Sequence, residues 1–170
     1  MNLNIALLSF ILTFCISPSW AEVTPTLNSD AIKATFGSYG VTILNQTEST
    51  RVANLHSTHS GREICRTLAV TEFVLPMDPK LSLEHEKIRA GGSIGATLRD
   101  AGFSINKKLL IKTEIVAGPA FGQLSNQTVE PGTPLATRGY ALFAQSSGRA
   151  IPYAIIAEAF HPAHQPPLQR

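Results

Sequence analysis

Residues 151–160, Ile-Pro-Tyr-Ala-Ile-Ile-Ala-Glu-Ala-Phe, form an apolar run interrupted by one carboxylate and read as a strand. Successive side chains of a strand alternate between its faces, so Ala154, Ile156, Glu158 and Phe160 fall on one face and the carboxylate stands in line with apolar side chains. A second long strand is expected over residues 62–75, stopped by Pro76. There Ile64, Arg66, Leu68 and Val70 share a face, which sets one guanidinium among apolar neighbours. A charge on an apolar face needs either a partner or a function. Glu158 and Arg66 are therefore candidates for a buried structural ion pair or for two parts of one site.

The remaining pattern fills in around these strands. Residues 135–144 and 151–160, joined by a turn over 145–149, read as a hairpin. Residues 40–44 and 51–55 have the residue types of short strands, and 56–61 those of a turn. Residues 103–116 alternate weakly and carry Lys107, Lys108 and Lys112, which marks a strand near a sheet edge. Short helices are expected over 31–36, capped by Asn28-Ser-Asp30, over 82–89, and over 96–101 after the break Gly91-Gly-Ser-Ile-Gly95. Residues 77–81 and 118–134 read as loops. The sum is an α+β domain: an antiparallel sheet with short helices segregated to one side.

The N-terminal pattern changes where that domain begins. Residues 1–21 read as a secretory signal peptide, with an apolar stretch over 5–16 too short to span a bilayer and small residues Ser19 and Ala21 before the cleavage point. The expectation is a mature chain of residues 22–170, periplasmic or secreted, with no membrane anchor of its own. Cys65 is then its only cysteine, excluding an intrachain disulfide, and its apolar neighbours suit a core thiol. Fourteen basic and twelve acidic residues leave a net charge of +2, and the basic ones are scattered, so there is no nucleic-acid footprint. Asn45-Gln-Thr47 and Asn126-Gln-Thr128 are glycosylation sequons on expected loops.

Candidate chemistry rests on few residues. Arg66 offers a two-donor fork suited to a carboxylate, and a desolvated Glu158 would serve as a proton donor or hydroxyl partner. Gly91-Gly-Ser-Ile-Gly95 lacks the Lys-Ser/Thr ending of a phosphate loop and reads as a connecting turn. His56 with His59, and His161 with His164, lack a carboxylate or thiolate at ligand spacing, so solvated loop histidines are preferred to a metal site. No nucleophile elbow is present. No cofactor or metal is expected.

Taken in order, several segments resemble the chorismate lyase family. Arg66-Thr-Leu-Ala-Val70 is similar to that family's Arg-Thr/Ser-Val-x-Pro strand, and Ser93-Ile-Gly-Ala-Thr-Leu98 to its Pro-Leu-Gly-x-x-Leu turn. Residues 135–142 and 157–162 resemble its Leu-Trp-x-Arg-Arg-Ser hairpin ending in Thr-Glu-Leu/Val-Phe-Leu-Pro. A weaker match, Asp30-Ala-Ile-Lys-Ala-Thr-Phe36, would put Ile32 at the pocket wall. The chain departs from the pattern at Val70, Ala136 and Gly139-Tyr140.

The resemblance implies a chorismate-lyase-like α+β fold with an internal ligand pocket. It implies Glu158 and Arg66 as catalytic residues, with Arg66, Ile94, Gly95, Ile32 and Glu158 binding the substrate. The resulting expectation is an exported protein that cleaves chorismate, or a related enolpyruvyl aromatic acid, to 4-hydroxybenzoate and pyruvate. The alternative is a non-catalytic module that binds a small aromatic carboxylic acid. Oligomeric state is not legible in the sequence.

Overall fold

In the computed structural model, which describes residues 27–126 and 128–164, a single sheet carries the site. The expected leader lies outside the described residues. The strands are β1 (Gly40–Gln46), β2 (Thr50–His59), β3 (Arg62–Phe73), β4 (Ser104–Val116), β5 (Pro134–Ser146) and β6 (Arg149–Phe160). They pair antiparallel in the order β1-β2-β3-β6-β5-β4. Three strands adjacent in sequence form each half, and the halves join where β3 meets β6. This is the expected α+β architecture.

Both inner hairpins turn where two successive residues take positive φ, Ser60-Gly61 and Ser147-Gly148, the geometry that matches the twist of paired strands. β2 consequently runs on to His59, and the expected turn over 56–61 contracts to its last two residues.

The helices are α1 (Asn28–Phe36), α2 (Ser82–Arg89), α3 (Ile94–Asp100) and α4 (Pro119–Leu124). The main core lies on one face of the sheet. Leu81, Ile88 and Leu98, each fully buried, pack there against Phe73, Leu142, Ala154 and Ile156. The alternation of β6 holds: Ala154, Ile156, Glu158 and Phe160 are all buried on this inner face.

The helices are not all on one side. α4 falls within the expected loop over 118–134 and covers part of the opposite, outer face. There Phe121 packs with Ala117, Val129, Leu135 and Ala159, and the Leu124 carbonyl accepts from Asn54 Nδ2 at 2.6 Å. Pro119 in its first turn suits a helix start, but six residues were too few to show a period.

Two register shifts decide which side chains reach the inner face. One lies in β2–β3 at Leu55/His56, opposite Arg66, and the other in β5–β6 at Leu142/Phe143, opposite Pro152 and Tyr153.

Candidate functional site: a charged cavity on the inner face

The cavity lies between the sheet's inner face and the segments α1 and α3. Its walls include Asn28, Tyr39, Arg51, Lys107, Tyr140 and Glu158, together with Ile94 and Gly95 at the start of α3. Its volume is about 60 Å³, enough for several water molecules at about 10–15 Å³ each. That is less than the roughly 150 Å³ known to admit benzene, so a one-ring ligand requires wall side chains to move.

Glu158 stands at the floor, 4 % exposed. Its partner is Arg138, directly opposite on β5, whose Nε and Nη2 each lie 2.7 Å from Oε2. The other carboxylate oxygen, Oε1, accepts from Tyr140 Oη at 3.2 Å and from Asn28 Nδ2 at 3.3 Å. Asn28 Nδ2 also donates to Thr67 Oγ1 at 3.0 Å, and Asn28 Oδ1 accepts from His164 Nε2 at 2.8 Å. Asn28 is therefore a link in a buried polar chain, while the residue in the N-cap position of α1 is Leu27. Burial, helped by the field of Glu158, holds the Tyr140 phenol well above its ordinary value, so it is a firm donor.

Arg66 lies elsewhere. The shift at Leu55/His56 breaks the alternation of β3, so Arg66 and Thr67 both turn toward α1. The Arg66 guanidinium sits 3.6 Å from the Phe36 ring centroid, and its Nε donates to Ser57 Oγ at 2.9 Å. Val70, by contrast, is exposed on the outer face. Arg66 and Glu158 make no ion pair with each other, and Arg66 does not line the cavity. Ile32 is fully buried in α1, also away from the lining.

Two cations that alternation had not singled out do face the cavity. Arg51 is 3 % exposed, and its Nη1 donates to the Ile88 and Gly92 carbonyls at 3.0 and 2.9 Å. Lys107 Nζ lies 4.9 Å from the Tyr140 ring centroid. Neither has a carboxylate in ion-pair contact among the described residues. Burial lowers the Lys107 amine, only partly offset by the field of Glu158. A lysine on a strand that reads as an edge looks solvated in the sequence. It reaches the cavity only because the β4–β5 register sets it opposite Leu142, on the inner face.

Of the four histidines expected as solvated loop residues, His59 is exposed, whereas His56, on β2, and His164 are buried. His56 Nε2 lies 3.5 Å from Glu63, and His161 Nε2 lies 3.1 Å from the Thr128 carbonyl. Among the described residues no group of three or more His, Cys, Asp or Glu is placed to hold a metal. No described helix is long and apolar enough to cross a membrane.

No protein-family model matches the chain, and no curated protein sequence matches it. Among solved structures, it is similar to a ligand-binding domain from Bordetella bronchiseptica assigned to the GntR family of transcriptional regulators. The identity is 16 % and the TM-score 0.52, over 79 % of this chain and 89 % of that one. A GntR-family regulator from Enterococcus faecalis V583 aligns at 10 % identity and a TM-score of 0.43, over 78 % and 96 % of the two chains. The first likeness carries the fold: this chain has the chorismate-lyase-like α+β architecture.

Proposed function

We propose that the chain is a binding module for a small organic anion, with a carboxylate as the recognised group. The observation that carries this reading is a charge imbalance at the cavity. Its one lining carboxylate, Glu158, is already paired with Arg138, whereas Arg51 and Lys107 face the same space without an acidic partner among the described residues. Desolvated cations gain most from an anion that enters with them. The hydroxyls of Thr71 and Ser93, the latter accepting from Tyr39 Oη at 3.1 Å and keeping its own O–H to give, add donors that orient it. The size of the cavity favours a short-chain acid, with a single-ring acid such as 4-hydroxybenzoate at the upper limit. The solved ligand-binding domain of the same fold supports binding over turnover.

The lyase reading asks Glu158 to present a proton to a leaving oxygen. In this geometry both oxygens of Glu158 accept hydrogen bonds from Arg138, Tyr140 and Asn28, an arrangement suited to holding a carboxylate still. An exported location, with residues 1–21 as leader, remains part of the proposal, and N-terminal sequencing of the mature protein from fractionated cells tests it.

The binding test is calorimetry with acetate, pyruvate, benzoate and 4-hydroxybenzoate, alongside chromatography of a chorismate incubation. Saturable heat with one of these acids, lost in Lys107→Met, and no pyruvate from chorismate, is the expected result. Pyruvate release by the wild type that disappears in a Glu158→Gln protein shown by circular dichroism to be folded would establish the lyase instead. No heat and no pyruvate would return the charges to the fold.

A further inference from the structure

Strand β4 ends the sheet, and every residue from Lys108 to Val116 is exposed. Five of them are large and apolar: Leu109 at 47 %, Leu110 at 55 %, Ile111 at 57 %, Ile115 at 41 % and Val116 at 68 %. An open edge with such side chains is a template for another strand, and natural edges usually guard against this with charges or bulges. Here a bulge between Leu109 and Ile111 confines the regular edge to its C-terminal part, Ile111 to Val116. That part holds one lysine and one glutamate, Lys112 and Glu114, two residues apart and therefore on the same face.

We propose that β4 pairs antiparallel with β4 of a second copy of this chain, about a two-fold axis at Thr113, joining two six-stranded sheets into one of twelve strands. The occupant and the register both follow from the charges. Directly opposed residues in an antiparallel pair share a face, so a symmetric pairing must be centred on a residue. Centring on Lys112 sets that lysine against its own copy, and centring on Glu114 does the same for the glutamate. Centring on Ile111 brings Lys108 opposite Glu114 by count. The bulge forbids that match, since Lys108 pairs with Ala141 on the outer face and Glu114 with Ala136 on the inner face. Centring on Thr113 sets Lys112 against Glu114 twice and Ile111 against Ile115 twice, each pair on a common face. Leu110 and Val116 flank the seam. One register thus satisfies the charges and covers the exposed apolar side chains.

Sedimentation equilibrium of the purified chain tests this, with circular dichroism to confirm folding. The wild type forms a dimer. Glu114→Lys alone, or Lys112→Glu alone, turns both symmetric pairs repulsive and raises the dimer dissociation constant at least about tenfold. The double variant Lys112→Glu/Glu114→Lys reverses each pair without breaking it and restores the dimer. Thr113→Cys places two cysteines opposite each other at the axis, where Cβ atoms lie about 4.5–5.5 Å apart, and a small approach to the about 3.5–4.5 Å of a disulfide lets them oxidise to a covalent dimer. A monomeric wild type overturns the proposal. So does a dimer that ignores the single reversals, or one that the double reversal does not recover.

Discussion

Arg138 and Glu158 face each other across the β5–β6 ladder, and two nitrogens of the guanidinium lie 2.7 Å from the same carboxylate oxygen. Both side chains are about 5 % exposed or less. A buried ion pair repays its desolvation only with good geometry and further hydrogen bonds. Tyr140 and Asn28 supply those at the other oxygen. The pair also ties the two C-terminal strands to α1 through Asn28.

Breaking this pair should cost more than replacing it. Glu158→Gln leaves a buried guanidinium without its counter-charge and should destabilise the fold by about 3–5 kcal/mol. The double variant Arg138→Met/Glu158→Leu should recover much of that loss. Urea denaturation of the three proteins checks this. Equal losses in the single and double variants would mean that the pair's charges are not what matters.

Lys107 should govern anion affinity and its pH dependence. Its amine lies below the ordinary lysine value of 10.5 because the site is desolvated. The protonated form attracts the anion, so affinity should fall as pH rises through that lowered value, before the ordinary 10.5 is reached. Lys107→Arg should keep binding at alkaline pH, and calorimetric titrations across this range read the difference. An unchanged alkaline profile in Lys107→Arg would assign the loss to another group.

Acid should destabilise the chain earlier than its carboxylates alone would. Burial holds His85, His161 and His164 below the ordinary histidine value of 6.5. The unfolded chain therefore takes up protons first. Stability from the neutral rings is fully present above 6.5 and is lost as pH falls from there through the folded values. Thermal melts from about pH 8 to about pH 5 should show the decline, and His164→Gln should flatten it. A melting temperature constant below 6.5 would contradict the assignment.

Cys65 should be inert in the native state. It is 3 % exposed, its thiol lies 3.2 Å from Asn54 Oδ1, and burial pushes it up to about 12. In a Cys15→Ser background, a thiol reagent at neutral pH should label it only under denaturing conditions. Rapid labelling of the folded protein would show that the β2–β3 sheet opens locally.

What the sequence determined by itself is the set of strands and the face of the last one. The side-chain alternation of a strand over residues 151–160 put Glu158 inward, and inward it is. Gly and Ser at the turns set the hairpins, and the run of lysines marked β4 as an edge. Pairing was beyond it. Counted back from the Ser147-Gly148 turn without interruption, Arg138 would oppose Ala157, with Glu158 on the other face. Pro152 has no N–H to give the ladder, and a bulge there makes Tyr153 the extra residue. That single slip brings Arg138 opposite Glu158. The bulge at Arg66 also turns its side chain inward, away from the face of Leu68 and Val70, but to Phe36 and Ser57 and not to Glu158. A one-residue shift exchanges the faces of every later side chain, and bulges are fixed by contacts distant in sequence. The candidate acid was therefore legible in the chain, whereas its partner and the two cations at the cavity were decided only when the strands met.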